Sequence, residues 1–155
     1  MEAPFERTIG GFLVSGDPAR LDRERVYRWL SAESYWAKGI PFALFEKALA
    51  HSMPFGLYEA AGEQVGFARV TTDRATYGYL QDVFVTSELR GRGLGRLLLE
   101  GVFAHPDLQG FRRWSLVTRQ AHALYRRFGF VPLAHPERFM ERHDPDVYQC
   151  GAAHG

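Results

Sequence analysis

Apolar and polar positions change period several times along this chain, and each change marks an element. Phe12 to Val14 reads as a short strand, closed by the turn-forming Ser15-Gly16-Asp17-Pro18. From about Leu21 the apolar positions fall at helical spacing, with Val26, Trp29 and Leu30 on one side, until Gly39-Ile40-Pro41 breaks the pattern. Pro41 suits the opening of a second helix, Phe42 to His51, whose apolar side carries Leu44, Phe45, Ala48 and Leu49. Phe55 to Glu59 and Val65 to Thr72 flank Ala61-Gly62-Glu63-Gln64 and predict a hairpin. Asp73 and Arg74 turn the chain into a third long strand, Tyr77 to Val85.

From Gly91 the spacing becomes helical again, through Leu94, Leu97, Leu98, Val102 and Phe103, and Pro106, Asp107 and Gly110 end it. Trp114 to Thr118 reads as a buried strand and Ala121 to Phe128 as a short helix, with Gly129 as its C-terminal cap. A last strand is expected near Phe139 and Met140. The sum is an α+β fold with a mixed sheet. Its early part is antiparallel, and a parallel βαβ unit joins Tyr77–Val85 to Trp114–Thr118. A single domain over residues 1–147 is expected, with residues 148–155 as a disordered tail.

Composition narrows the class without naming it. With 155 residues, 46% hydrophobic and 24% charged, the chain has the make-up of an ordinary globular domain. A formal net charge of +1 argues against nucleic acid or a membrane surface as partner. The arginines are uneven, however: Arg90, Arg92, Arg96, Arg112, Arg113, Arg119, Arg126 and Arg127 all lie in the second half, where an anion would be welcome. A lone cysteine, Cys150, excludes an internal disulfide and makes a cysteine-based metal site unlikely, so no metal is expected. The N-terminus shows no signal peptide, and no apolar run reaches the roughly 20 residues of a membrane span. A cytoplasmic protein is the expectation, as a monomer or homodimer.

The candidate chemistry sits between the third long strand and the following helix, in Arg90-Gly91-Arg92-Gly93-Leu94-Gly95. Glycines let the backbone bend sharply and approach a ligand. The helix behind them offers unpaired N–H groups and the positive end of its dipole, so the loop suits a phosphate or pyrophosphate with arginines at its rim. A Walker loop would need Gly-Lys-Ser/Thr, but Gly95 is followed by Arg96 and Leu97. A dinucleotide fingerprint needs G-x-G-x-x-G in a parallel α/β context, and neither the spacing nor the leading hairpin agrees.

A third pattern fits. Leu80-x-Asp82-Val83-Phe84-Val85, followed by Arg90-Gly91-Arg92-Gly93-Leu94-Gly95 and the apolar helix to Leu98, resembles motif A of the GNAT N-acetyltransferase superfamily. The family's Gln/Arg-x-x-Gly-x-Gly/Ala falls on Arg90, Gly93 and Gly95. Ala121 to Phe130, ending in Tyr125-Arg126-Arg127-Phe128-Gly129-Phe130, is similar to the motif B helix. The likeness covers roughly Phe12 to Met140, with both motifs in register.

That resemblance implies acetyl-CoA as acyl donor and a small-molecule amine as acceptor, joined by direct attack in a ternary complex. It places the backbone of Val83, Phe84 and Val85 beside the pantetheine arm, and the amides from Arg90 to Arg96 on the pyrophosphate. Thr118 stands where many relatives place an asparagine that contacts the cofactor. Tyr125 would protonate the departing CoA thiolate. The general base is less determined. Tyr79 and Gln81 share one parity and offer no good base, and Asp82 is the only carboxylate on the strand. Strict alternation turns Asp82 toward the helix face unless a bulge intervenes, so base, structural hydrogen-bonding group and a water chain stay open. His122 receives no role. Trp29, Ser34, Tyr35 and Trp36, together with Tyr79, are the expected acceptor-site residues. A non-catalytic acyl-CoA sensor of the same fold is the alternative.

Overall fold

The computed structural model describes residues 3–149. Six strands form one sheet in simple chain order: β1 (Glu6–Ile9), β2 (Phe12–Ser15), β3 (Met53–Tyr58), β4 (Gln64–Thr72), β5 (Tyr77–Val85) and β6 (Arg113–Ser115). Every neighbouring pair is antiparallel except β5–β6, which is parallel. The mixed α+β sheet expected from the residue pattern is thus present. β1 is an addition to it. Gly10 and Gly11 both have positive φ (57° and 83°) and make the two-residue turn that folds β1 onto β2.

Four helices cover the sheet. α1 (Arg23–Arg28) starts on Asp22, whose carboxylate accepts from the Arg25 amide, and runs into a π-helical turn, Trp29–Glu33. α2 (Phe42–Ala50) begins after Pro41. Together they bury Val26, Trp29, Leu30, Phe45 and Leu49 against Phe67 and Phe84. α3 (Leu94–Phe103) and α4 (His122–Arg126) belong to the second cluster, built on Val14, Phe55, Val70, Leu80, Leu98 and Val102. Gly101 lets α3 lie directly on β2, because a Cβ there would stand 2.5 Å from a Val14 methyl.

β5 contributes to both clusters, and a bulge is the reason. Phe84 pairs with Phe67 and Gln81 with Arg69, so Asp82 and Val83 stand opposite Ala68 alone. Asp82 takes a left-handed backbone, φ 56°, which costs an L-residue about 1–2 kcal/mol. The extra residue reverses parity. Leu80 packs in the cluster under α3, whereas Phe84 packs in the cluster under α1 and α2.

The C-terminal expectations need correction. No strand forms at Phe139 and Met140: the segment is extended, with a short 3-10 turn at Pro136–Arg138, and Met140 is 97% exposed. Pro132 and Pro136 cannot donate to a ladder, and no backbone hydrogen bond joins this segment to β6 among the described residues. β6 is also shorter than expected, ending at Ser115 instead of Thr118. Tyr148 packs against the α1–α2 cluster, while residues 150–155 of the expected tail lie outside the described residues. No helix among the described residues is long and apolar enough to cross a membrane.

Candidate active site

β5 and β6 pair only at Tyr77–Arg113, Gly78–Trp114 and Tyr79–Ser115. Gly78 makes this start possible, since a Cβ there would meet the Trp114 ring at 2.7 Å. Beyond Tyr79 the strands part, and Leu80 to Val85 have no ladder partner on the β6 side. Apart from the bulged Asp82 and Val83 those residues keep their pairing with β4, so the alternate backbone groups turned away from β4 face an open notch. Val85 already uses its carbonyl oxygen to accept from Arg90 Nε at 3.0 Å.

At the end of β5 a 3-10 turn (Ser87–Leu89) leads into the glycine loop. Gly91 and Gly93 have φ 81° and 77°, and no atom lies within 4 Å of where a Cβ would stand at either. The first helical bond of α3 runs from the Leu97 amide to the Gly93 carbonyl (3.3 Å). The amides of Leu94, Gly95 and Arg96 therefore emerge at the helix start with no side-chain cap. Such a cradle suits an anion with closely spaced oxygens. The arginines are less free than the sequence suggests. Arg90 folds back over the Phe84 ring (4.8 Å to its centre), and Arg96 pairs with Glu100 at 3.0 Å. Arg92 is exposed beside the loop.

Tyr125 projects from α4 and is 9% exposed. The helix stops at once: the amides of Phe128 and Phe130 both donate to the Tyr125 carbonyl, and Gly129 turns the chain at φ 89°. Burial raises the Tyr125 phenol to about 12, with the neighbouring Tyr35 adding to the effect. Its hydroxyl stays a neutral donor at ordinary pH. Tyr125 and Thr118 line the same groove, about 1180 Å³, which runs along β6 and α4 toward the Pro132–Met140 segment. The Thr118 hydroxyl also accepts from the Ala121 amide (3.1 Å) and so shapes the entry to α4.

Across the notch stand Tyr35 and Trp36, 47% and 41% exposed, with their rings edge to face. The Tyr35 hydroxyl accepts from the Arg119 amide at 3.3 Å, and the Arg119 guanidinium lies 3.9 Å from the ring centre. The loop after α1 is thereby tied to the β6–α4 connection. Tyr79 is partly buried, and its phenol is raised by that burial and by nearby Tyr77 and Asp82.

Two expected acceptor residues are corrected. Trp29 stacks on Phe84 (5.2 Å, 22°) and is 4% exposed. Ser34 is buried, donating to the Leu30 carbonyl and accepting from the Ala37 amide. Trp29 continues the buried side of α1 with Val26 and Leu30, and Ser34 follows the π turn Trp29–Glu33.

Asp82 is brought by its bulge to the face of Tyr79 and Gln81. Its Oδ2 accepts from Arg69 Nε (2.9 Å) and its Oδ1 from Trp36 Nε1 (2.8 Å). Arg69 reaches on to Ser52. Arg69 and Arg119 were not among the expected site residues. For Arg69 a signal was available, because it sits on the strand that pairs with the one carrying Asp82.

The family described as Acetyltransferase (GNAT) domain matches residues 50–132. The chain belongs to the GNAT family of acetyltransferases. A solved GNAT-family structure from Xanthomonas campestris is 49% identical, with a TM-score of 0.86, over 91% of this chain and 99% of that one. An acetyltransferase-family protein of Gibberella zeae is 34% identical over 143 residues, 79% of this chain and 80% of its own. An aminoglycoside N(6')-acetyltransferase of Stenotrophomonas maltophilia is 36% identical over 83 residues, 46% of this chain and 54% of its own. The GNAT protein described here is accordingly an N-acetyltransferase, and acetyl-CoA is the donor its family uses. No cluster of three potential metal ligands occurs among the described residues.

Proposed function

We propose that this GNAT protein transfers the acetyl group of acetyl-CoA to a primary amine of a small molecule, by direct attack in a ternary complex. The observation that carries the reading is the open β5 edge beyond Tyr79 leading into the bare α3 N-terminus, with α4, which bears Tyr125, packed beside it: a Cβ at Gly95 would stand 3.5 Å from Leu124. Acetyl-CoA supplies an activated thioester. The β5 edge at Val83, Phe84 and Val85 holds its pantetheine arm as an added strand would, through the notch-facing groups of Val83 and the Val85 N–H, and the amides from Arg90 to Arg96 take its pyrophosphate. An N–H of the β5 edge donates to the carbonyl oxygen on which charge builds during attack. Tyr125 donates to the departing sulfur, and Thr118 lines the same groove. Tyr35, Trp36 and Tyr79 form the acceptor side, an aromatic wall that favours an amine with an apolar portion. An aminoglycoside acetyltransferase and the N-alpha-acetyltransferase 80 of Mus musculus (38% identical over 73 residues) are each matched over 46% of this chain, so the choice of a small-molecule acceptor rests on the aromatic wall.

No free carboxylate stands on the acceptor face of β5, since both oxygens of Asp82 are engaged. We therefore assign the amine's proton to solvent along the open notch, and not to Asp82. Initial rates over a panel of amines test the scheme. Intersecting patterns with acetyl-CoA and amine varied together are expected, and parallel ones would replace direct attack by an acyl-enzyme route.

The loop assignment has its own test. Gly93→Val forces a branched side chain into φ 77° at the mouth of the cradle. Its expected effect is a loss of acetyl-CoA affinity of about tenfold or more, read by calorimetry. Unchanged affinity would remove the loop from the donor site.

A further inference from the structure

We propose that Arg69 and Trp36 are positioning residues for acetyl transfer, acting through Asp82 to lock the β5 bulge. The inference rests on the reading that the β5 edge beyond the bulge receives the donor's arm.

An aspartate held at positive φ in mid-strand needs something to keep it there, and this one is gripped from two sides. Arg69 and Asp82 form an ion pair with side chains only 16% and 9% exposed, so water screens it little. Trp36 Nε1 fills the other carboxylate oxygen. The grip is anchored in three elements besides β5. Arg69 belongs to β4, Trp36 to the loop after α1, and Ser52, which accepts from Arg69 Nη1 at 3.3 Å, donates to the Ala48 carbonyl at the end of α2.

What the grip controls is orientation. With the bulge in place, Phe84 stacks on Trp29 while Val83 and Val85 pack toward α3. If the bulge slipped, each of these residues would turn to the opposite face, and the notch-facing N–H and C=O groups would change identity. The donor-side geometry then depends on an indole from the acceptor-side loop. Trp36 sits next to Tyr35, which spans the notch to Arg119, so the two substrate sites share one mechanical element.

The experiment compares the wild type with Arg69→Met, Arg69→Lys, Trp36→Phe and Asp82→Asn. The first readout needs no substrate. Amide hydrogen exchange at Phe84 and Thr86, whose N–H groups face β4, is expected to speed up by roughly ten- to a hundredfold in Arg69→Met and Trp36→Phe, with α3 amides unchanged. The second readout is kinetic. Both variants should lower kcat and weaken acetyl-CoA by about tenfold, and Arg69→Lys should recover part of the loss by keeping the charge without the fork. Asp82→Asn should lower kcat while the pH profile keeps its shape, whereas loss of the acidic limb would make Asp82 the base and overturn the latch. Exchange and kinetics within twofold of wild type in Arg69→Met and Trp36→Phe would also overturn it. Absence of turnover on every amine by the wild type would count against the proposed acceptor class and leave the exchange result to decide the latch.

Discussion

Replacing Tyr125 by phenylalanine is expected to lower kcat by about a hundredfold while acetyl-CoA affinity stays within about twofold, since a positioned proton donor typically contributes a factor of 10² or more. The substitution removes one hydroxyl and keeps the ring that packs in the cluster under α3. The chemistry also limits what this hydroxyl does. Burial holds the phenol near 12, and a free thiol titrates near about 8.5. Complete transfer of the phenolic proton to the sulfur is therefore uphill. Its contribution lies in a hydrogen bond that strengthens as charge develops on the leaving sulfur.

The pH dependence follows in sign. A raised pKa extends the neutral, donating form to higher pH, so Tyr125 adds no limb to the rate profile below about pH 11. The variant should show the wild-type profile shifted down at every pH. An unchanged kcat would remove Tyr125 from the chemistry. Disappearance of an alkaline limb near pH 9 in the variant would recast it as a group that ionises in the working range.

Leu98→Ala should cost about 2–5 kcal/mol in stability. Leu98 is fully buried in α3. The ordinary relief for such a cavity is for the helix to settle closer to the sheet, and here that route is blocked. Gly101 already brings the α3 backbone onto Val14 with no room even for a methyl group. The void should therefore persist and the cost fall in the upper half of the range. For a domain of this size each kcal/mol lowers Tm by about 2–4 °C, so a drop of roughly 7–20 °C is expected by calorimetry. Denaturant unfolding that gives a loss below about 1 kcal/mol would mean that α3 can move after all. Acetyl-CoA affinity at low temperature should be nearly preserved, because the loop and the first turn of α3 precede Leu98.

Much of this was readable from residue pattern. Gly-x-Gly-x-Gly between a strand and an apolar helix has few uses, and Tyr125 followed by Gly129-Phe130 narrowed it to one family. These signals are local. They depend on what a glycine permits or on where a helix must stop. The features that escaped depend on distant partners. Nothing near Asp82 in the chain announces a left-handed backbone, for the groups that hold it, Arg69 and Trp36, come from another strand and from a loop 46 residues away. Trp29 was legible as core, since it shares the apolar side of α1 with Val26 and Leu30, whereas Ser34 is buried by hydrogen bonds to Leu30 and Ala37 that its polarity does not announce. Phe139 and Met140 have the composition of a strand, but pairing is a property of two segments, and β6 has ended before they arrive.

The divergence of β5 and β6 bears on how strand backbone is left open within a sheet. An unpaired edge on the outer margin of a sheet invites another chain to continue it. The bare stretch of β5 is instead sheltered inside the sheet by β6, which closes it at the bottom, and by α4 beyond. A neighbouring sheet is too broad to enter a gap one strand wide. A single extended arm bearing amides is not, so the width of the gap favours a lone strand-like ligand over another sheet.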